Sequence, residues 1–195
     1  MTTVSILGMG NMGPAIASII EKGGNTAQIL GSNDTDQTVT GEIVVLAVPY
    51  PAIQQVLAQR ADQLAGKIIV DITNPLNFET FDSLTVPADS SAAAEIQAAL
   101  PNSRVLKAFN TTFAATLASG EIAGQPTTVV IAGDDADAKS HLAAVVTAVV
   151  TAGGLRAIDA GSLRRARELE AMGFLQIALA AGEKISWTGG FAVQA

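Results

Sequence analysis

The stretch Gly8-Met9-Gly10-Asn11-Met12-Gly13 decides how this chain is read. It follows an apolar run, Val4-Ser5-Ile6-Leu7, and opens a segment in which Ile16, Ile19 and Ile20 recur at helical spacing. Strand, glycine turn and helix therefore stand in the order that a dinucleotide site requires. Gly8 permits the tight turn, Gly10 lets the backbone approach a pyrophosphate, and Gly13 lets helix and strand pack closely. The first N–H groups of the helix, at its positive end, would face the phosphates. A bare glycine-rich turn is the alternative; the strand before it and the helix after it favour the nucleotide.

Working outward, apolar strand patterns at 27–30, 42–48, 67–72, 105–109, 127–132 and 155–158 alternate with helical patterns. The helices are expected at 53–64, at 91–100 with Ser91 as cap and Glu95 in the first turns, in a short segment within 110–117, from 134 to about 151, and after 162. Asp159-Ala160-Gly161-Ser162 reads as the cap of a long C-terminal helix. The alternation predicts an α/β fold: a Rossmann-like, doubly wound parallel sheet in three layers. One feature is unusual. Residues 31–41 are polar, and the next buried strand follows at once, whereas a crossover helix between parallel strands needs a dozen or more residues. The helix and strand after strand two are thus predicted to be deleted. The 195 residues are expected to form one dinucleotide-binding domain, 1–195, with a C-terminal helical segment from about 162 to 195.

Hydrophobic residues make up 49% and aromatics only 4%, so the core must rest on Ala, Val, Ile and Leu, as a parallel sheet covered on both faces would. The net charge of -7 argues against a nucleic-acid or anionic-membrane partner. The absence of cysteine removes disulfides, thiolate metal sites and a cysteine nucleophile. The longest apolar stretch, 142–155, is interrupted by Thr147, Thr151, Gly153 and Gly154 and falls short of the roughly 20 residues of a spanning helix. No basic leader precedes the first strand, so a cytoplasmic protein without a membrane partner is expected.

Ligands in such sheets bind beyond the carboxyl ends of the strands. Those ends offer Met9 to Met12, then Gly31-Ser32-Asn33-Asp34, Val48-Pro49-Tyr50, Thr73-Asn74-Pro75 and Asn110-Thr111-Thr112. None is an obvious acid, base or nucleophile, which suits hydride transfer, where the cofactor carries the chemistry. Ser32 and Asn33 occupy the place of the usual NAD-selecting carboxylate and can donate to a 2′-phosphate. No basic residue lies between Lys22 and Arg60, so a local cation is lacking. The balance favours NADP (as NADPH) and leaves NAD open. His141 is read as a surface residue, and Asp71 as a carboxylate that ties down the following turn. Tyr50 either touches the nicotinamide or walls the cleft. Arg164, Arg165, Arg167, Glu168 and Glu170 are read as a solvated helix face. Trp187 and Phe191 are assigned to a subunit contact, hence a homodimer through the C-terminal segment, with a substrate wall or simple packing as alternatives.

Five ordered motifs carry a resemblance over nearly the whole chain: the glycine turn, Ala47-Val48-Pro49-Tyr50, Asp71-Ile72-Thr73-Asn74-Pro75-Leu76-Asn77, Val105-Leu106-Lys107-Ala108-Phe109-Asn110, and Asp159-Ala160-Gly161. The chain resembles the NADP oxidoreductases that depend on the deazaflavin coenzyme F-420. It is also similar to the cytosolic reductase domain of the six-transmembrane ferric reductases. The resemblance implies that Met9 to Met12 hold the pyrophosphate and that Ser32 contacts the 2′-phosphate. It implies that Val48, Pro49 and Tyr50 border the ribose and nicotinamide, and that Thr73, Asn74 and Pro75 face the ring. Asn110 and Thr111 would line the pocket of a small-molecule hydride acceptor, a deazaflavin or flavin. Asn33 stands where the deazaflavin enzymes carry arginine, and Asn110 where they tend to carry histidine; the Phe109-Asn110 pair is closer to the ferric-reductase module. Two other functions fit the same residues. One is a sensor that binds NADP(H) without catalysis. The other is a pyrroline-carboxylate-reductase-like imine reductase, for which only the segment from Ser162 is left to supply a dimerisation domain.

Overall fold

A computed structural model describes residues 1–148 and 155–194. The chain runs β1 (Thr3–Leu7), α1 (Met12–Lys22), β2 (Thr26–Leu30), β3 (Ile43–Leu46), α2 (Ile53–Leu64), β4 (Ile68–Asp71), α3 (Ala92–Ala99), β5 (Arg104–Lys107) and α4 (Ala114–Ser119). It continues with a two-stranded hairpin, β6 (Glu121–Ile122) and β7 (Gln125–Pro126), then β8 (Thr128–Gly133), α5 (Ala136–Thr147), β9 (Arg156–Gly161) and α6 (Ala166–Ala181). The expected end of α5 near Thr151 lies outside the described residues.

Seven strands form one sheet in the order β2-β1-β3-β4-β5-β8-β9. The five strands from β2 to β5 are mutually parallel. Their side chains alternate between two cores, which is why both faces read as apolar. Ile43, Val45, Ile68 and Val70 point to the layer of α1 and α5, while Val44, Leu46, Ile69 and Val105 point to the layer of α2 and α3. β1 sits between β2 and β3, so the chain reverses direction across the sheet there, and the crevice beyond Leu7 and Leu46 is the switch point.

No helix or strand lies in 31–42. Side chains hold this connection instead. Arg60 on α2 donates to the carbonyls of Asp34 (2.6 Å) and Gln37 (2.9 Å). Gln63 accepts from the Val39 N–H, and Gln28 donates to the Thr38 carbonyl.

Two readings of the chain need correction. β8 is antiparallel to β5, because the link through α4 and the hairpin does not cross to the other end of the sheet; β9 then pairs parallel with β8. Asp159-Ala160-Gly161 belongs to β9 and does not cap the last helix. That helix is preceded by a single 3₁₀ turn, Leu163–Arg165, and the Asp134 side chain, not Ser162, accepts the Leu163 N–H at 2.9 Å. α6 packs along α3 and brings the segment after it to the carboxyl ends of the parallel strands. Among the described residues, no helix is long and apolar enough to cross a membrane.

Candidate functional site

The glycine turn is built by overlap. Gly8 has φ +131°, and a Cβ there would collide with the Ala47 carbonyl. A Cβ on Gly13 would collide with the carbonyl of Gly8, so α1 starts directly against the turn. Gly10 differs: nothing lies within 4 Å of where its Cβ would be. That open space belongs to a cleft of about 570 Å³ lined by Gly8, Met9, Gly10, Ser32, Val48 and Pro49. Asn33, Asp34 and Ala47 also border it.

The start of α1 has no side-chain cap and no acidic residue in its first turn. An α-helix leaves its first N–H groups without internal partners, and their dipoles favour an anion. The residues present therefore fit a dinucleotide pyrophosphate: an open cradle at Gly10 and uncapped donors behind it.

The Ser32 side of this cleft is better supplied with polar groups than its sequence suggests. Ser32 and Asn33 are exposed. The Asp34 carboxylate is tied back, accepting from the Gly31 N–H at 2.8 Å and from Gln37 at 2.8 Å. A cation does lie near: Arg60 of α2, 6% exposed and engaged by the Asp34 and Gln37 carbonyls, borders a recess of about 120 Å³ with Ser32 and Thr35. Sequence distance hid it; α2 crosses beneath the 31–38 loop.

On the other side of the turn, Asn11 and Met12 open a second cavity of about 460 Å³. Asn74 and Asn110 meet at its base. Asn74 Nδ2 donates to the Asn110 carbonyl at 2.8 Å, and Asn110 Nδ2 donates to Asn74 Oδ1 at 2.9 Å and to the Leu169 carbonyl at 2.8 Å. Asn110 Oδ1 is buried without a partner. Gly173 of α6 allows this pair to form, since a Cβ there would overlap Asn74 Oδ1. Phe109, also lining the cavity, holds φ +61°, a strained backbone for a bulky residue. The outer wall is Phe78, Phe113 and Trp187, with the Phe113 and Trp187 rings 5.0 Å apart.

Behind the turn after β4 lies a charged group that sequence reading missed in part. Lys107 Nζ is 2.7 Å from Asp71 Oδ2 and 2.8 Å from Glu170 Oε1, and all three side chains are fully buried. It also donates to the Thr73 carbonyl. Asp71 ties the turn as expected, accepting from the Thr73 N–H at 2.8 Å. Glu170, read as solvated, is instead buried and accepts from the first N–H groups of α3, Ala92 at 3.1 Å and Ala93 at 3.4 Å. Burial pushes the Glu170 carboxyl up, and Lys107 with the α3 N–H groups pulls it back.

The remaining expected residues divide. Thr73, Pro75 and Thr111 are buried beneath the cavities and do not line them. Tyr50 is half-buried, and its hydroxyl donates to Glu95 Oε2 at 2.6 Å; burial, then Glu95, holds its acidity well below that of a free phenol. His141 is half-buried rather than a free surface residue; it meets Thr2 Oγ1 at 2.9 Å. Trp187 lines the second cavity, which favours the substrate-wall alternative over the subunit contact. A lone aromatic in a glycine-flanked tail gave no signal for this, because only the return of α6 makes it local.

Comparisons with known proteins place the chain among oxidoreductases. The family described as NADP oxidoreductase, coenzyme F420-dependent, matches residues 28–75. An F420-dependent NADP reductase of Methanocaldococcus jannaschii is 32% identical over 88% of this chain and 76% of its own length. The metalloreductase STEAP3 of Rattus norvegicus is 30% identical over 87% of this chain, which spans only 36% of that protein. A solved structure from Arthrobacter sp. FB24, itself only provisionally described as an F420-dependent NADP-reductase, superposes with a TM-score of 0.84 at 26% identity over the whole of both chains.

Proposed function

The chain belongs to the F420-dependent NADP reductase family and is an NAD(P)-dependent oxidoreductase; from that premise we propose that it moves hydride between NADPH and a flat acceptor, a deazaflavin or a flavin. The observation that carries the reading is the pair of cavities meeting at the uncapped start of α1. Met9 to Met12 hold the pyrophosphate through backbone N–H groups. Ser32 and Asn33 donate to the 2′-phosphate, with the Arg60 guanidinium beneath, and the Asp34 oxygens are occupied by Gly31 and Gln37. This supports NADPH over NADH.

Val48 and Pro49 flank the ribose, and Asn74 at the base of the second cavity faces the carboxamide. When bound, the cofactor supplies the hydride. The chain's part is orientation and exclusion of water, because among the described residues no ionised side chain lines the second cavity. The test is NADPH oxidation with FMN, FAD and the deazaflavin as acceptors. Turnover with one of them is expected; binding of NADPH without turnover on any acceptor supports the sensor instead.

A further inference from the structure

The recess beside Ser32 adjoins the glycine-turn cleft, and its lining defines a further contact, on the reading that the cleft takes NADPH. Recess and cleft share Gly8, Gly31, Ser32 and Val48 as lining. The recess measures about 120 Å³, the space of about four water molecules, which suits one flat base. No helix or strand lies in 31–42, and Arg60 and Gln63 of α2 hold that connection down. α2 is therefore itself the wall on this side. The lining is apolar at Leu30, Val48 and Val56, and polar at Gln55, Gln59 and Arg60. Gln55 and Gln59 stand four residues apart on α2, neighbours on one helix face. Both are exposed, and among the described residues neither amide is held by the fold, whereas those of Gln28 and Gln63 are.

The covalent structure of NADPH decides which of its parts reaches this place. Its 2′-phosphate and its adenine sit on adjacent carbons of one ribose. A phosphate held at Ser32 therefore brings the base to a recess that Ser32 also lines. Adenine presents two apolar faces, and an edge with an amino donor beside ring-nitrogen acceptors. Aliphatic side chains cover the faces. An amide, with one acceptor and two donors, matches the edge, whereas a carboxylate or an ammonium group supplies only half of it.

We propose that the recess receives the adenine of the cofactor, and that Gln55 and Gln59 bond its amino-bearing edge, so that α2 selects the base. Arg60 acts at one remove. Bonded to the Asp34 and Gln37 carbonyls, it fixes the loop that carries Ser32 and Thr35 to the facing side of the recess.

The experiment is calorimetric titration of NADP⁺ and of its etheno-adenine analogue, in which a two-carbon bridge blocks the amino group. Both ligands are titrated into the wild type, Gln55→Leu and Gln59→Leu. The wild type is expected to hold NADP⁺ at least about tenfold tighter than the analogue. Each substitution is expected to weaken NADP⁺ about three- to tenfold and to leave the affinity for the analogue unchanged, since that ligand has no amino donor to lose. Both side chains are exposed, so folding should survive each change. Equal losses for the two ligands, or NADP⁺ affinity indifferent to either substitution, overturns the base contact while leaving the dinucleotide site standing. Absence of NADP⁺ binding to the wild type overturns the dinucleotide site itself, and the base contact with it.

Discussion

α1 and α3 begin in opposite ways. α3 starts inside the protein, with Ala92 and Ala93 fully buried. Ser91 accepts the Ala94 N–H at 3.1 Å, and Glu170 takes the two N–H groups before it. α1 starts at a cleft with no side-chain cap, no acidic residue in its first turn and a glycine where a side chain would fill the space. Both ends carry the same orphan donors and the same positive dipole end. At α3 the chain supplies the anion itself and gains stability. At α1 it leaves the place open, and the stabilisation waits for a ligand. The difference separates folding from function: damage at α3 should appear in the unfolding curve, and damage at α1 in the binding curve.

The largest expected effect comes from breaking the α3 side at its source. Lys107→Met leaves Asp71 and Glu170 buried without their cation, and a loss of about 3–5 kcal/mol is expected in urea unfolding. Adding Glu170→Gln to it should recover part of the loss; no recovery would mean that Glu170 is not held by Lys107. Next comes the α1 side. Gly10→Ala puts a Cβ into the cradle where nothing else lies within 4 Å, so stability should stay within about 0.5 kcal/mol of wild type. NADPH affinity should fall at least about 100-fold, equivalent to about 2.7 kcal/mol, by calorimetry. Equal losses in stability and binding would erase the proposed distinction.

Ser91→Ala is smaller. It removes the cap of α3 and should cost about 1 kcal/mol with NADPH affinity unchanged. The smallest effect is in pH. Burial raises the Glu170 carboxyl above its ordinary 4.5, so the folded state holds that proton longer than the unfolded one. Measured against Glu170→Gln, wild-type stability should therefore be greatest below pH 4.5 and decline as the pH rises through the folded value. A stability difference that grows with pH over that window would reverse the assignment.

The α1 side was legible in the sequence because every part of it is local. Gly8, Gly10 and Gly13 lie within six residues, and the connection at 31–42 is too short to hide a crossover helix. The α3 side was only half legible. Ser91 and Glu95 announced the start of the helix, but Glu170 lies 78 residues from Ala92 and sits among Arg164, Arg165, Arg167 and Glu168, which are exposed. Helical periodicity alone could not turn one of those charges inward. A signal was present in the strands: Asp71 and Lys107 each end a buried apolar run, and parallel register sets them opposite each other. Two opposite charges at matching places in neighbouring strands predict a pair, and a pair inside predicts something to balance it. The outer wall of the second cavity was the least legible part. Phe113 and Trp187 are 74 positions apart in numbering and meet only because α6 returns along α3. The reversal at β8 had the same cause, since strand direction depends on where a connection runs and not on the strand's own residues.

The most direct test of the account is calorimetric titration of NADPH and NADH into the wild-type protein. The account predicts NADPH binding tighter than NADH. At 100 times its dissociation constant NADPH should also stabilise the fold by about 2.7 kcal/mol. Failure of both nucleotides to bind would contradict the assignment of the uncapped α1 start and the Gly10 cradle as a dinucleotide site.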